Sequence, residues 1–339
     1  MKLRVTRIVV ALALVAGLGF AASPAAAADK KQYVFGAGSP GGTWEMVTTG
    51  TAKVLNEYAS FSLLPTTFTT INQAPAALND GEVMLAIGSF SIFERGFKGI
   101  DNFAGHASPN IRQVMSIYDN IMGFLARGDS KAQALEDVTN DTIFATTPGN
   151  VTVVSNYLRE LAKAGIIKAD PETLIKKLRR MTYSQQWDQL GDGNIEIAFV
   201  TGFPYNGGAD SVISTKKARF ISVSKDPAKV EAFKKQWLQL YPESMMLPVP
   251  KGAYSTTTED VWGPTEITAF YASKDAPDAM VEEFIDLTIK HMKEISQVHP
   301  AAGQISLEAN KRNLEAGAMR VDRMHPAAVE YFKKAGIIK

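Results

Sequence analysis

The sequence is organised around one glycine-rich stretch, Gly36-Ala37-Gly38-Ser39-Pro40-Gly41-Gly42-Thr43-Trp44. An apolar run precedes it and an amphipathic segment, Trp44 to Tyr58, follows it, so we predict a strand, a tight turn and a helix. Glycines let the backbone approach a ligand closely, and the first N–H groups of a helix carry partial positive charge. We therefore predict a cradle for a small anion, with Ser39 and Thr43 adding hydroxyls and Trp44 forming a wall.

The same stretch allows two other interpretations. In the first, it is a plain strand-to-helix turn in which Thr43 only caps the helix. In the second, Gly36, Gly38 and Gly41 form the dinucleotide-binding pattern GxGxxG, which also needs an acidic residue at the end of the next strand, about 20 residues on. The next candidate strand, Phe61 to Thr70, contains no acidic residue. This absence argues against a dinucleotide site.

The first 28 residues are typical of a secretory signal peptide. Lys2, Arg4 and Arg7 precede the uncharged run Ile8 to Phe20, and an alanine-rich segment follows, so we predict cleavage after Ala28. The apolar run is shorter than the about 20 residues that cross a bilayer. We expect a soluble, exported protein with no direct membrane insertion.

Composition narrows the class of protein further. The chain has 339 residues and no cysteine, which excludes disulfides, thiolate metal sites and cysteine nucleophiles. Without the three basic residues of the leader, 33 Lys and Arg face 35 Asp and Glu, a net charge of −2. This balance gives no reason to expect nucleic acid as a partner. A mature chain of this length predicts about two domains.

The first third of the chain alternates between strand and helix patterns. Phe61 to Phe68 reads as a strand that Pro65 places at a sheet edge, Gln73 to Asn79 as a helix, and Val83 to Ile87 as a strand. A β-α-β-α-β order predicts a parallel sheet whose site lies at the carboxyl ends of the strands.

The opening pattern recurs in the middle of the chain. Thr142 to Ala145 reads as a strand, Thr146-Thr147-Pro148-Gly149-Asn150 as a turn, and Val151 to Ala164 as a helix that ends at Gly165. We interpret this turn as a second ligand-binding cup. It would face a first cup, which is the anion cradle formed by the glycine-rich stretch.

An internal echo supports the two-part organisation. Leu78 to Ile87 aligns with Leu190 to Phe199 and keeps its Leu, Asp, Gly and Ala positions. Loops of small and aromatic residues follow both copies, Ser89-Phe90 after the first and Thr201 to Tyr205 after the second. One Asp-Gly turn before a strand would be ordinary turn chemistry, but two copies behind matching strand–turn–helix patterns indicate a repeated unit.

The remaining segments complete the expected architecture. The predicted strands are Val114 to Ala126, which is long enough to pass between lobes, Phe220 to Val223, and Ile267 to Ala272. The predicted helices are Ala132 to Val138, Val230 to Tyr241 with Phe233, Trp237 and Leu240 on one face, Pro277 to Gln297, and Pro326 to Lys334. The basic run Lys176 to Arg180 is interpreted as a solvated helix face.

No catalytic or metal-binding group can be assembled from these patterns. His299-Pro300 and His325-Pro326 mark helix or turn boundaries, His291 falls on a charged helix face, and His106 in a polar loop. The nucleophile pattern GxSxG is absent around Ser39 because Ala37 occupies its first position. We predict no enzyme activity, no cofactor and no metal.

Four motifs together resemble the TAXI family of solute-binding proteins, which serve tripartite (TRAP) transporters. They are the glycine-rich stretch with Trp44, the segment Leu78 to Ile87, the turn Thr147 to Thr152, and Met324-His325-Pro326-Ala327-Ala328 with Tyr331. The resemblance implies a type II periplasmic binding protein fold, with two α/β lobes joined by hinge strands and the ligand in the cleft between them.

The resemblance also implies the division of the chain, the partners and the site. Lobe I would comprise residues 29–122 and 274–339 and lobe II residues 123–273, to within about 15 residues. The solute would be a small carboxylate, such as glutamate or 2-oxoglutarate, and the partner a membrane permease. The expected ligand-binding residues are Gly38, Ser39, Gly41, Gly42, Thr43, Trp44, Ser89, Phe90, Thr147, Gly149, Asn150, Val151, Thr152 and Phe203.

Two functions of other classes remain as alternatives. The first is an exported binding protein that signals to a membrane sensor. The second is an exported enzyme on the same fold, which would consume its ligand.

Overall fold

A computed structural model describes residues 30–38, 43–203, 207–241 and 244–339. The predicted signal peptide and the turn residues Ser39, Gly41 and Gly42 lie outside the described residues. Residues 31–339 form one compact unit. Among its described residues, no helix combines the length and the apolar character that spanning a membrane requires.

Ten strands of the described chain form one mixed sheet. They are β1 (Lys31–Ala37), β2 (Phe61–Thr67), β3 (Leu85–Ser89), β4 (Ile111–Ala126), β5 (Phe144–Thr146), β6 (Arg179–Arg180), β7 (Ile197–Phe203), β8 (Arg219–Ile221), β9 (Met245–Val249) and β10 (Val261–Ser273). Their order is β2-β1-β3-β10-β4-β7-β5-β6, with β8 paired to β4 and β9 to β10.

Twelve α-helices of the described chain cover this sheet. They are α1 (Thr43–Tyr58), α2 (Ala74–Asn79), α3 (Phe90–Lys98), α4 (Val151–Lys163), α5 (Pro171–Lys177), α6 (Tyr183–Gly191), α7 (Gly207–Lys216), α8 (Pro227–Leu240), α9 (Asp278–Lys290), α10 (Met292–Ser296), α11 (Leu307–Glu315) and α12 (Pro326–Lys334). The β-α-β-α-β order predicted for the first third is confirmed, because β1 pairs in parallel with both β2 and β3. The prediction that Pro65 marks an edge strand is also confirmed, since β2 ends the sheet.

Two strands, β4 and β10, run through both halves of the sheet. They pair antiparallel from Thr265↔Ile121 to Ser273↔Ile111. Buried side chains of residues 33–118 and 269–332 form a first core, and those of residues 121–261 form a second core. Between the cores the two strands carry Asp119, Asn120, Thr265 and Glu266. The buried Ile267, opposite Asp119, lies among these polar residues.

The internal echo is a repeated structure as well as a repeated sequence. Asp80 and Asp192 end α2 and α6, and each N–H bonds to carbonyls two and four residues back. Gly81 and Gly193 follow with φ of 74° and 81°. In each copy the two residues after the glycine donate to one carbonyl of the helix, that of Ala77 or of Gln189. The same local sequence therefore builds the same helix-to-strand turn twice.

Two predicted helices differ from the structure. Ala132 to Val138 holds only a 3-10 turn, Leu135–Asp137, because Leu135 and Glu136 donate their N–H groups to the carbonyls of Ser222 and Val223. The helix predicted from Pro277 to Gln297 is interrupted at His291, between α9 and α10. The imidazole of His291 stacks on Tyr58 of α1, with ring centroids 3.9 Å apart, and its Nδ1 lies 2.7 Å from Glu294.

The helix predicted from Val230 to Tyr241 is present as α8, in which Phe233 and Trp237 are buried and Leu240 is 50% exposed. One predicted helix face was wrong. The run Lys176 to Arg180 is not one helix face: α5 ends at Lys177, Leu178 is buried, and Arg179 and Arg180 form the edge strand β6. Pairing with β5 satisfies the backbone of these two arginines better than another helical turn would.

The repeated turn gives a first testable prediction. Substitutions G81A and G193A each force an L-residue into the left-handed region, so we expect each to lower the free energy of unfolding by about 1 kcal/mol. Urea unfolding followed by circular dichroism measures this change. Gly303 is a matched control, because its φ is not positive and an added Cβ would lie 3.8 Å from the nearest atom. If G303A lost as much stability as G81A, the argument from φ would be wrong.

The two capping histidines give a second prediction. Nδ1 of His299 and of His325 accepts a hydrogen bond from the N–H of Ala301 and of Ala327, at 3.2 Å and 3.3 Å, which requires a neutral ring. Burial lowers the pKa of both below 6.5. The unfolded chain then binds protons more readily than the folded chain, so stability is full above about pH 6.5 and falls as the pH drops through the folded pKa values.

Thermal unfolding between about pH 8 and about pH 5 tests this pH dependence. A double variant, H299N with H325N, keeps a capping oxygen at both positions but removes both titrating groups, so its melting temperature should fall less on acidification. The exposed His106 provides the control variant H106N. An unchanged pH dependence in the double variant would contradict the assignment.

Candidate functional site

The first cup consists of the end of β1, the start of α1 and the junction of β3 with α3. Gly38 lies against the start of α1 so closely that a Cβ would stand 2.7 Å from Cβ of Trp44. Real Cβ atoms do not approach so closely, so this position requires glycine. Thr43 is the first residue of α1 and is half-buried.

Trp44 is held by a hydrogen bond to a distant strand. Its Nε1 donates to Oγ1 of Thr268 on β10 over 3.2 Å. The hydroxyl of Tyr118 on β4 hydrogen-bonds with both Thr268 and Trp44. The register explains the grouping, because Thr268 is paired with Ser89 on one side and with Tyr118 on the other. The strands thus bring Ser89, Thr268 and Tyr118 into one row beside Trp44.

The β3–α3 junction adds a serine pair and a carboxylate. Ser89 is fully buried at the start of α3, and its Oγ lies 3.4 Å from Oγ of Ser91. Ser91 in turn donates to Oε1 of Glu266 on β10 at 2.6 Å. Phe90 is 3% exposed, so its side chain packs inside the lobe.

Glu45 places a second carboxylate near the first cup. It lies in the first turn of α1, where the helix dipole favours negative charge. Its Oε1 accepts a hydrogen bond from Oγ1 of Thr49 at 3.3 Å. The first cup is therefore rich in hydroxyls and bordered by two acidic groups, Glu45 and Glu266.

The second cup consists of the β5–α4 turn, the start of α6 and β7. The hydroxyl of Tyr183 lies 2.7 Å from Oγ1 of Thr201 and accepts a hydrogen bond from Nδ2 of Asn150 at 3.4 Å. It also hydrogen-bonds with the side chain of Thr147. Three elements of the second lobe therefore meet at one phenol.

The other predicted residues of this cup differ in how exposed they are. Gly149 is exposed, with open space where a Cβ would lie, and Thr152 is exposed on the first turn of α4. Val151 is half-buried against the second core. The backbone of Phe203 pairs with Ile121, and its side chain lies outside the described part of the chain.

Two tyrosines connect the cups. Burial raises the pKa of Tyr118, hydrogen bonds with Thr268 and Trp44 oppose part of the rise, and the nearby hydroxyl of Tyr183 adds to it. Burial also raises the pKa of Tyr183, against the hydrogen bonds with Thr201, Asn150 and Thr147. Both phenols are neutral hydrogen-bonding groups near neutral pH. The sheet places the two hydroxyl networks on neighbouring strands, because β4 carries Tyr118 and pairs through Ile121 with Phe203 of β7, two residues from Thr201.

Sequence reasoning did not find Tyr118, Thr268, Tyr183, Thr201 or Glu266 as site residues. Tyr118, Thr268 and Glu266 lie inside long strands, where apolar neighbours give the pattern of a core. The signal available for Tyr183 was the capping pattern Thr182 to Gln185, which the structure shows as a capping box at the start of α6. Within the described ranges, no three His, Cys, Asp or Glu side chains are placed to hold a metal ion.

The Trp44–Thr268 hydrogen bond gives a third prediction. Substitution T268V keeps the shape of the side chain but removes the hydroxyl that accepts from the indole N–H and that hydrogen-bonds with Tyr118, so we expect the free energy of unfolding to fall by about 1 to 3 kcal/mol. Thr288 is the matched control: it is fully buried, and its Oγ1 has no partner among the described residues. Urea unfolding should therefore show T288V to be as stable as the wild type or more so. Equal losses in both variants would refute the hydrogen bond's role.

Known proteins were compared with the chain by sequence and by fold. No curated protein sequence matches it. A TctC solute-binding protein from Polaromonas is 11% identical, with 90% of this chain and 98% of that chain covered and a TM-score of 0.52. A structure described as a periplasmic transporter is 13% identical, with 93% and 99% covered and a TM-score of 0.50.

These likenesses concern the fold and confirm the predicted class, a two-lobed α/β periplasmic binding protein fold. The sequence profile of the NMT1-like family matches residues 35–336, which include both cups and both crossing strands. The chain belongs to the NMT1-like family.

Proposed function

We propose that this protein is an exported, periplasmic solute-binding protein that captures a small carboxylate-bearing solute between its lobes and delivers it to a membrane permease. The observation that carries the proposal is the strand pairing that brings the two cups together. Tyr118 of β4 is opposite Thr268 at the first cup, and Ile121, three residues further along β4, pairs with Phe203 of β7, the strand that carries Thr201 of the second cup. A site made of backbone N–H groups, hydroxyls and an amide can orient a carboxylate by hydrogen bonds.

The division into lobes follows the two cores. We assign residues 31–118 and 269–339 to lobe I and residues 121–261 to lobe II, with the polar segments of β4 and β10 as the hinge. Ligands of two-lobed proteins bind between the lobes, and closure occurs by rotation about a few such residues. The ligand-binding residues predicted from the sequence, including Ser39, Gly41 and Gly42, would then enclose the solute from lobe I and lobe II.

The permease is proposed to be that of a TAXI-type TRAP transporter. The support for this finer assignment is the resemblance of the glycine-rich stretch, the Leu78 to Ile87 segment and the Thr147 turn to that family. The solute class, an amino acid such as glutamate or a dicarboxylate such as 2-oxoglutarate, rests on the same resemblance.

A thermal-shift screen of small carboxylates and amino acids is the primary test. A ligand present at 100 times its dissociation constant should stabilise the protein by about 2.7 kcal/mol. Isothermal titration then gives the affinity, and chromatography of the recovered ligand should show it unchanged. Consumption of the ligand would replace this proposal with an enzyme.

Two variants test whether the cups bind the ligand. We expect W44A and T147A each to weaken the affinity for the identified carboxylate at least about tenfold, because one removes a wall of the first cup and the other a hydroxyl of the second. The exposed Thr215 on α7 supplies the control T215A, which should bind as the wild type does. If neither cup variant changed the affinity, the site assignment would be wrong.

A further inference from the structure

Arg180 is placed at the second cup by the edge pairing of the sheet. In the parallel pair β5–β6, Ala145 is in register with Arg179 and Thr146 with Arg180. Neighbouring strands lie about 4.8 Å apart. The N–H of Met181 donates to the carbonyl of Thr146 at 3.0 Å, which ties the end of β6 to the residue directly before the cup's turn. Arg180 is therefore beside the point where β5 enters the cup.

The register also decides on which face of the sheet each arginine lies. Successive strand residues point to opposite faces, and residues in register point to the same face. Phe144, two residues before Thr146, packs with Val154 and Leu158 of α4 in one hydrophobic cluster. Ala145 packs in the other, with residues of α6 and α7. Arg180 thus shares its face with α4, whose first turn forms the cup, and Arg179 lies on the opposite face.

The guanidinium of Arg180 is not engaged by the rest of the protein. Arg180 is exposed and has neither a hydrogen bond nor an ion pair within the described residues. By contrast, Lys177 of the same basic run is paired with Asp141 and with the carbonyl of Asn140. Beside Arg180, Oγ1 of Thr146 is buried and has no partner in the described chain. The base of the second cup thus has a polar atom and a cation that both lack partners.

The acidic groups of the site lie on the other side. Glu45 and Glu266 border the first cup, whereas the predicted residues of the second cup and Tyr183 include no acid. Two negative charges disfavour an anion in the first cup, and an arginine favours one in the second. The charge distribution of the site is therefore asymmetric.

From these observations we propose that Arg180 is a specificity-determining residue, which binds the carboxylate of the solute in the second cup. The inference rests on the proposed function and deepens it, because it states which cup takes the anionic end. The planar guanidinium can donate two parallel hydrogen bonds to one carboxylate, a geometry that lysine does not offer. The backbone N–H groups at the start of α4 complete the anion's surroundings.

The experiment compares R180Q with R179Q, two exposed arginines of the same strand on opposite faces. Isothermal titration with L-glutamate, 2-oxoglutarate and succinate gives the affinity of each variant and of the wild type, at low and at high salt. We expect R180Q to lose at least about tenfold in affinity and most of its salt dependence, and R179Q to bind as the wild type does. R180K should recover only part of the loss.

The outcomes separate the two levels of the proposal. Binding that R180Q leaves intact, or that R179Q weakens equally, overturns the role of Arg180 while the proposed function stands. A wild-type protein that binds none of the three anions contradicts the proposed solute class, and the role of Arg180 with it. Circular dichroism and the melting temperature show whether each variant is folded.

Discussion

The pairing of β4 with β10 is the interaction on which the rest of the site depends. These strands run through both cores, and their register sets Tyr118 opposite Thr268. Thr268 then receives the indole N–H of Trp44, which fixes the start of α1. A shift of one residue in this pairing would turn each side chain to the other face of the sheet. The geometry of the first cup is therefore a consequence of strand register.

The two cups share a backbone arrangement but differ in the side chains around it. Each has the start of a helix at the carboxyl end of a parallel strand, where backbone N–H groups point outward. The first cup surrounds this position with an indole, buried hydroxyls and two nearby carboxylates. The second surrounds it with the Tyr183 network and an exposed arginine. In the proposed site, the solute would meet a polar, partly negative surface on one side and a positive one on the other.

Local sequence patterns predicted most of the fold. The features that they missed depend on contacts between residues that are far apart in the sequence. The strand–turn–helix units and the Asp-Gly turns were predictable because each is stabilised by bonds within about ten residues, such as those from Glu82 and Asn194 to the preceding helix. The Trp44–Thr268 bond joins residues 224 positions apart, and no pattern in one sequence indicates it. Arg179 and Arg180 looked helical because their partner strand lies more than 30 residues away.

The segments of β4 and β10 that run between the two cores would define the axis of the proposed lobe closure. On the lobe I side, Asp119 is held by Arg312 of α11 at 2.7 Å, and its N–H donates to Gln304 at 3.1 Å. Burial raises the pKa of Asp119, and the ion pair with Arg312 opposes this rise. The chain is thus anchored to lobe I up to Asp119 and packed in the second core from Ile121 onward. The proposed rotation between the lobes would therefore take place over the few residues between Asp119 and Ile121, and each tyrosine would keep the hydrogen bonds of its own lobe.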